Sequence, residues 1–246
     1  MKLNCRTVWI CMLTIVLILG ADCKSKKSMP SINGVGYSWG SDANQDTGSL
    51  FSSDQAVLSN EDIARILSTP VTLPETARMA VMQLGQNTRY WSESSPVLGQ
   101  QTTESFLAAL RQCPRIAAAT ALPGILIPER HTVPYLREAA ARYQADLLLI
   151  YRQNTGSYEK YRATQSDQVK AYCTVEAALL DVRSGTVPFT TVGFEEVRAS
   201  KAKEDLSFDE TVDKAYHEAE SKALQEVAAS VTQFLGSLGT TATVTP

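Results

Sequence analysis

The spacing of apolar positions changes several times along the chain, and each change marks an element. ARMAVMQL, residues 77–84, is a continuous apolar run of strand length, a buried first strand. In TTESFLAALRQC, 102–113, Phe106, Leu107 and Leu110 recur at helical spacing. RIAAATAL, 115–122, predicts a second strand, and VPYLREAAARYQ, 133–144, a second helix with Thr132 as its cap. ADLLLIYRQ, 145–153, is apolar on both faces, as a central covered strand must be.

The pattern then alternates. In QVKAYCTVEAALLDV, 168–182, Val169, Ala171, Cys173, Val175, Ala177 and Leu179 fall on one face. Lys170, Tyr172, Thr174 and Glu176 fall on the other, which turns apolar at Ala178 and Leu180. RSGT makes a turn, with Gly185 able to take a positive φ. The return strand is 187–199, and Pro188 near its start predicts an edge position. A last helix begins at a Ser207/Glu210 capping box, with Asp209 and Asp213 suiting its positive end. Val212, Ala215, Tyr216, Ala219, Ala223, Val227, Val231 and Leu235 hold one face until Gly236 ends it. Ahead of all these, Ser59 and Asp62 cap a short helix at about 60–68, which Pro70 and Pro74 close off.

The order β-α-β-α-β-β-β-α implies an α/β (mixed α+β) fold. Strands joined through helices pair in parallel, and the later hairpin adds antiparallel strands. The expected sheet has about five strands in a two- or three-layer arrangement, in one domain at 58–236 followed by a disordered tail at 237–246.

The N-terminus carries a different signal. Lys2 and Arg6 precede the apolar run TVWICMLTIVLIL, 7–19, which has the length of a signal-peptide core and is short for a membrane span. Residues 1–22 therefore read as an export signal. Leu19, Gly20, Ala21 and Cys23 resemble the box at which bacterial lipoproteins are cleaved and acylated, although Asp22 stands where a small residue is expected. Cys23 is the predicted lipid attachment point, and a triacylated cysteine would hold firmly because each buried methylene adds ~0.8 kcal/mol. The competing reading is cleavage near Ala21 with a free or paired Cys23. Lys24, rather than an inner-membrane-retaining aspartate, points to the outer membrane, with the domain facing the periplasm. Residues 23–57 are rich in Ser, Gly, Asn, Asp and Lys and read as a flexible tether with a span of roughly 30–35 Å.

Composition narrows the chemistry. The 246 residues are 44% hydrophobic and 20% charged with a net charge of −3, a globular balance without the basic excess that nucleic acid favours. Gly34, Gly36 and Gly40 lack dinucleotide-site spacing, and in DANQDTG Thr47 replaces the glycine a calcium loop requires. No CxxC or His/Cys cluster suggests zinc. His131 and His217 lack an accompanying nucleophile motif and read as surface or capping residues. Glu195 and Glu196 point to opposite faces of a strand and cannot act as an acid/base pair. Glu204, Asp205, Asp209 and Glu210 fit the helix dipole. Cys113 and Cys173 read as separate buried thiols in preference to a periplasmic disulfide. No catalytic residue and no cofactor is expected. The richest interface chemistry is in YRQNTGSYEKYR, where Tyr151, Arg152, Tyr158, Tyr161 and Arg162 cluster at a strand end and its loop.

Ala145 and Asp146 open the apolar strand, and Asp181, Arg183 and Gly185 form a D-x-R-x-G turn. Together with the Ala-rich last helix, they resemble the periplasmic α/β domain of bacterial envelope lipoproteins. The relatives are the curli-secretion channel lipoproteins and the lipoprotein activators of penicillin-binding proteins. The resemblance covers roughly 75–235 and implies a non-enzymatic, membrane-anchored module that binds another envelope protein. The alternatives are a subunit of a curli-type pore, for which the 153–168 connection is short and polar, and a secreted hydrolase, for which no triad or metal set is present.

Overall fold

Strand β1 (Ala77–Leu84) is the parallel neighbour of both β2 (Ile116–Ala121) and β3 (Leu147–Lys160). Strand β3 continues antiparallel to β4 (Gln168–Asp181), and β4 to β5 (Phe189–Ser200). The sheet order is therefore β2-β1-β3-β4-β5. The computed structural model describes residues 50, 59–68, 73–85, 95–161 and 166–238. The signal, Cys23, the glycine and aspartate motifs of 34–46, the Tyr90–Trp91 loop, Arg162 and the tail from 239 onward lie outside them.

Helix α1 (Asn60–Ser68) starts at its capping box: Asp62 N–H donates to Ser59 Oγ at 3.1 Å. It buries no residue. Helix α2 (Ser95–Arg111) joins β1 to β2, and α3 (Val133–Arg142) joins β2 to β3. The two crossovers run in opposite directions along the sheet. Right-handed crossovers then require the helices to lie on opposite faces, and the core divides accordingly. On one face Val81, Leu149 and Leu179 meet Phe106 and Leu110 of α2 and Ala219 and Val227 of the last helix, α4 (Phe208–Ser237). On the other, Met82, Leu148 and Leu180 meet Leu136 and Ala140 of α3. Each buried leucine contributes about 1.5–3 kcal/mol over its exposed state. Helix α3 reaches only the β1–β3 end. The molecule has three layers there and two layers across β4 and β5. Among the described residues, no helix is long and apolar enough to cross a membrane.

Several boundaries differ from the sequence reading. Helix α2 begins at Ser95 instead of 102; its first turns carry few apolar residues, and Pro96 suits a helix start. Strand β3 extends to Lys160, because its polar second half pairs with β4 all the way from Gln153–Val175 to Lys160–Gln168. Helix α4 passes through Gly236 to Ser237: Phe234 stacks on Phe189 at 4.5 Å, and the Arg115 guanidinium donates to the Leu238 carbonyl. Thr132 stands at the α3 N-cap but its buried hydroxyl makes no hydrogen bond. The first α3 amide, that of Val133, donates instead to the carbonyl of Leu50 at 3.2 Å. Leu50 also packs on the α3-side core, so this residue of the presumed tether is seated on the domain.

The D-x-R-x-G turn is a structural knot. Asp181 accepts from Arg183 N–H at 3.0 Å and from Ser184 Oγ at 2.5 Å, and Gly185 sits at φ 76°. Arg183 donates back to Asp146 at 3.0 Å, whose other oxygen takes the Arg78 amide at 3.0 Å. Burial alone would raise the Asp146 pKa, but those donors win and hold it below the usual carboxylate value. The motif thus ties the start of β1, the start of β3 and the end of β4 together.

Candidate partner-binding face

Alternation along β3, β4 and β5 sends odd-numbered side chains toward α4 and even-numbered ones to the opposite face. Because α3 stops at the β1–β3 end, no described helix or strand covers that even face from Arg152 outward. Its cross-strand rows follow from the register: Arg152, Glu176 and Val192; Asn154, Thr174 and Phe194; Gly156, Tyr172 and Glu196; Tyr158, Lys170 and Arg198.

Paired charges frame this face. Arg152 forks onto Glu176 through Nε at 2.8 Å and Nη2 at 2.7 Å. Glu196 takes Lys170 Nζ at 2.6 Å and Arg198 Nε at 3.1 Å, and its pKa is lowered, first by the Lys170 contact. Half-exposed pairs of this kind contribute ~0–1 kcal/mol, so they orient the surface more than they stabilise it. Between them lie exposed apolar groups: Val192 at 53%, Phe194 at 56% and Tyr158 at 61%. Tyr172 lies flat over Gly156, where any Cβ would strike its ring. Beside Arg152 and Glu176 a groove of about 480 Å³ runs between Leu50, Leu84, Ile150 and Val192.

Of the five predicted interface residues, the four that are described do not share one face; Arg162 lies outside the described residues. Arg152 and Tyr158 share the open face. Tyr151, one position away, is 5% exposed and packs edge-on against Phe106 at 5.5 Å, and burial pushes its pKa up. Tyr161 is exposed but sits on the helix side, its ring 5.3 Å from Phe208 of α4. Its hydroxyl donates to Glu159 at 2.7 Å, which, with lesser contributions, pushes its pKa up to about 12. Sequence reasoning missed Tyr172, Val192 and Phe194. Their signal was the polar face of the hairpin, where Tyr172 stood among charged residues; what sequence did not show was that no described helix covers that face.

Other candidate groups are absorbed by structure. Cys113 and Cys173 are free and buried, and burial pushes the Cys173 thiol up. Asp205 is more than a dipole partner: it is buried and accepts from Lys214 Nζ at 2.6 Å, Thr211 Oγ1 at 2.6 Å and Ala202 N–H at 3.2 Å. The Lys214 contact leads in lowering its pKa to about 2. Among the described residues no group of three or more His, Cys, Asp or Glu is placed to hold a metal ion.

His217 is a correction to the surface reading. Only 18% of its side chain is exposed, and it lies between Glu220 at 3.3 Å and the buried Asp213 at 3.7 Å on α4, with Gly99 of α2 alongside. The Glu220 contact leads in raising its pKa above 6.5, against an opposing contribution from burial. A raised histidine pKa gives stability that is complete below the unfolded value and lost as pH rises through the folded value. The wild-type urea midpoint should therefore fall as pH climbs above 6.5, and His217→Gln should flatten that slope. Identical pH profiles for the two proteins would contradict the assignment.

No protein-family model and no curated protein matches the chain. Among solved structures it is similar to a PelC dodecamer from Paraburkholderia phytofirmans, at 17% identity over 62% of this chain and 90% of that chain, with a TM-score of 0.30. It is similar to a minor lipoprotein from Acinetobacter baumannii at 9% identity, 64% and 94% coverage and a TM-score of 0.33. It is similar to lipoprotein GNA1162 from Neisseria meningitidis at 12% identity, 65% and 99% coverage and a TM-score of 0.30.

Proposed function

We propose that this chain is a lipid-anchored protein of the bacterial envelope whose α/β domain is a non-enzymatic protein-binding module. Cys23, after an apolar signal and Gly20–Ala21, supplies the anchor, and Lys24 directs it to the outer membrane. The observation that carries the binding role is the face of β3–β5 that no described helix or strand covers. There, exposed Tyr158, Val192 and Phe194 lie among fixed charge pairs, a composition suited to a protein contact. Within this class the sequence of the Asp181–Arg183–Gly185 turn resembles that of the curli-secretion and penicillin-binding-protein-activator lipoproteins, and the role this resemblance would imply is regulation of a cell-wall enzyme or service in a secretion assembly.

The test compares the full chain, purified from envelopes in mild detergent with its bound proteins, against an Arg152→Ala/Tyr158→Asp variant. Both substituted side chains are on the open face and outside the core. The variant should keep its thermal midpoint within a few degrees and lose at least tenfold of its co-purified partner. Equal recovery would move the binding site elsewhere, and hydrolytic activity without any partner would remove the binding role.

A further inference from the structure

Strand β5 ends the sheet, with no strand beyond it among the described residues. Its Phe194 N–H does not face β4; it donates to Glu226 Oε2, reaching over from α4, at 2.9 Å. Backbone groups alternate sides along a strand. Thr190, Val192, Phe194, Glu196 and Arg198 therefore direct their N–H and C=O groups out of the sheet, and their side chains lie on the open face. Val192 and Phe194 are both more than half exposed at this edge. An exposed edge with apolar side chains is a template for another strand.

We propose that β5 pairs antiparallel with β5 of a second copy of this chain, about a two-fold axis at Gly193, and that Glu226 is the group this pairing displaces. Backbone pairing requires outward residues to meet outward residues, which leaves few registers. An axis at Phe194 sets Val192 against Glu196, and an axis at residue 195 sets Phe194 against Glu196. The axis at Gly193 sets Val192 against Phe194 of the second copy, twice over, and Thr190 against Glu196. Aromatic and β-branched residues pair favourably across strands, and this register is the one that sets the two exposed apolar side chains of the edge, Val192 and Phe194, against each other. The glycine at the axis also suits the other face. A side chain at 193 would strike the Ala223 carbonyl of α4, so each helix lies close over this edge, with no side chain from position 193 itself between the two copies. The result is a ten-stranded sheet with its open face doubled. Confinement to a membrane surface would raise the effective concentration of copies.

The test uses the full chain in detergent micelles, with a Val192→Cys/Phe194→Cys variant, a Glu226→Ala variant and a Phe194→Asp variant. Facing residues in such a pair lie ~5.5 Å apart at Cα, within disulfide reach. Oxidation should convert the double-cysteine variant to a covalent dimer. In sedimentation, the dimer constant of Glu226→Ala should tighten at least tenfold over wild type, and Phe194→Asp should be monomeric with an unchanged thermal midpoint. A monomer at every concentration in both wild type and Glu226→Ala would overturn the proposal. So would a dimer that survives Phe194→Asp, or absence of the disulfide.

Discussion

Gly193→Val should cost ~3 kcal/mol or more of folding stability, read as a lower urea midpoint in circular dichroism. A Cβ at 193 would sit 2.5 Å from the Ala223 carbonyl oxygen, 3.1 Å from Val227 Cγ2 and 3.3 Å from Glu226 Oε2. The nearest of these is helix backbone, which cannot rotate away. Helix α4 must lift from β5, and lifting it loosens Ala223 and Val227 in the main core. Overpacking of a well-filled site typically costs about 1–3 kcal/mol, and here the obstacle is rigid. Against a total of about 5–15 kcal/mol this is a large fraction. Gly193→Ala should fall between Gly193→Val and wild type. A midpoint unchanged by valine would mean that α4 does not lie over β5 as described.

Cys23→Ser should change the covalent form of the protein completely. The wild-type chain, isolated from membranes, should begin at Cys23 and carry the mass of its acyl groups. The serine variant has no thiol to acylate, so it should carry no lipid mass, whether it retains residues 1–22 or is cut elsewhere. Intact-mass spectrometry of both proteins decides this. The same lipid mass on both would remove Cys23 as the anchor, and no lipid on either would favour cleavage near Ala21. The sequence tension at Asp22 makes this a demanding test, because a small residue is the usual neighbour of an acylated cysteine.

The strands were legible wherever an apolar run had a defined period. The run ARMAVMQL coincides with β1 to the residue, and the alternation from Val169 to Leu179 coincides with the buried face of β4. The last helix was readable because its capping serine and its apolar stripe agree, and Ser207 does accept from Glu210 N–H at 3.2 Å. The D-x-R-x-G turn was visible as a motif, and its meaning proved to be architectural: Asp181, Arg183 and Asp146 brace three strands. What failed were segments whose order depends on a distant partner. The NTGSYEK half of β3 has turn-like residues and becomes a strand because β4 runs beside it and Tyr172 lies over Gly156. Leu50 stands in a stretch without a defined period, and its place on the domain depends on the Val133 amide and on the core it packs against. The candidate binding face was half readable for a related reason. Arg152 and Tyr158 could be picked by residue type, but whether a helix covers Tyr172, Val192 and Phe194 is set by the end of α3, a tertiary fact. His217 was misplaced because helical spacing brings it to Asp213 and Glu220, while its burial comes from α2.

The proposed role requires that the domain meet a different envelope protein through the face formed by β3–β5. Site-specific photo-crosslinking in living cells tests it most directly, with the photoreactive residue at position 158 in one strain and at position 222, an exposed lysine on the helix side, in another. A heterologous protein should be covalently trapped from position 158 and none from position 222. Trapping from position 222 alone, or from neither, would contradict it.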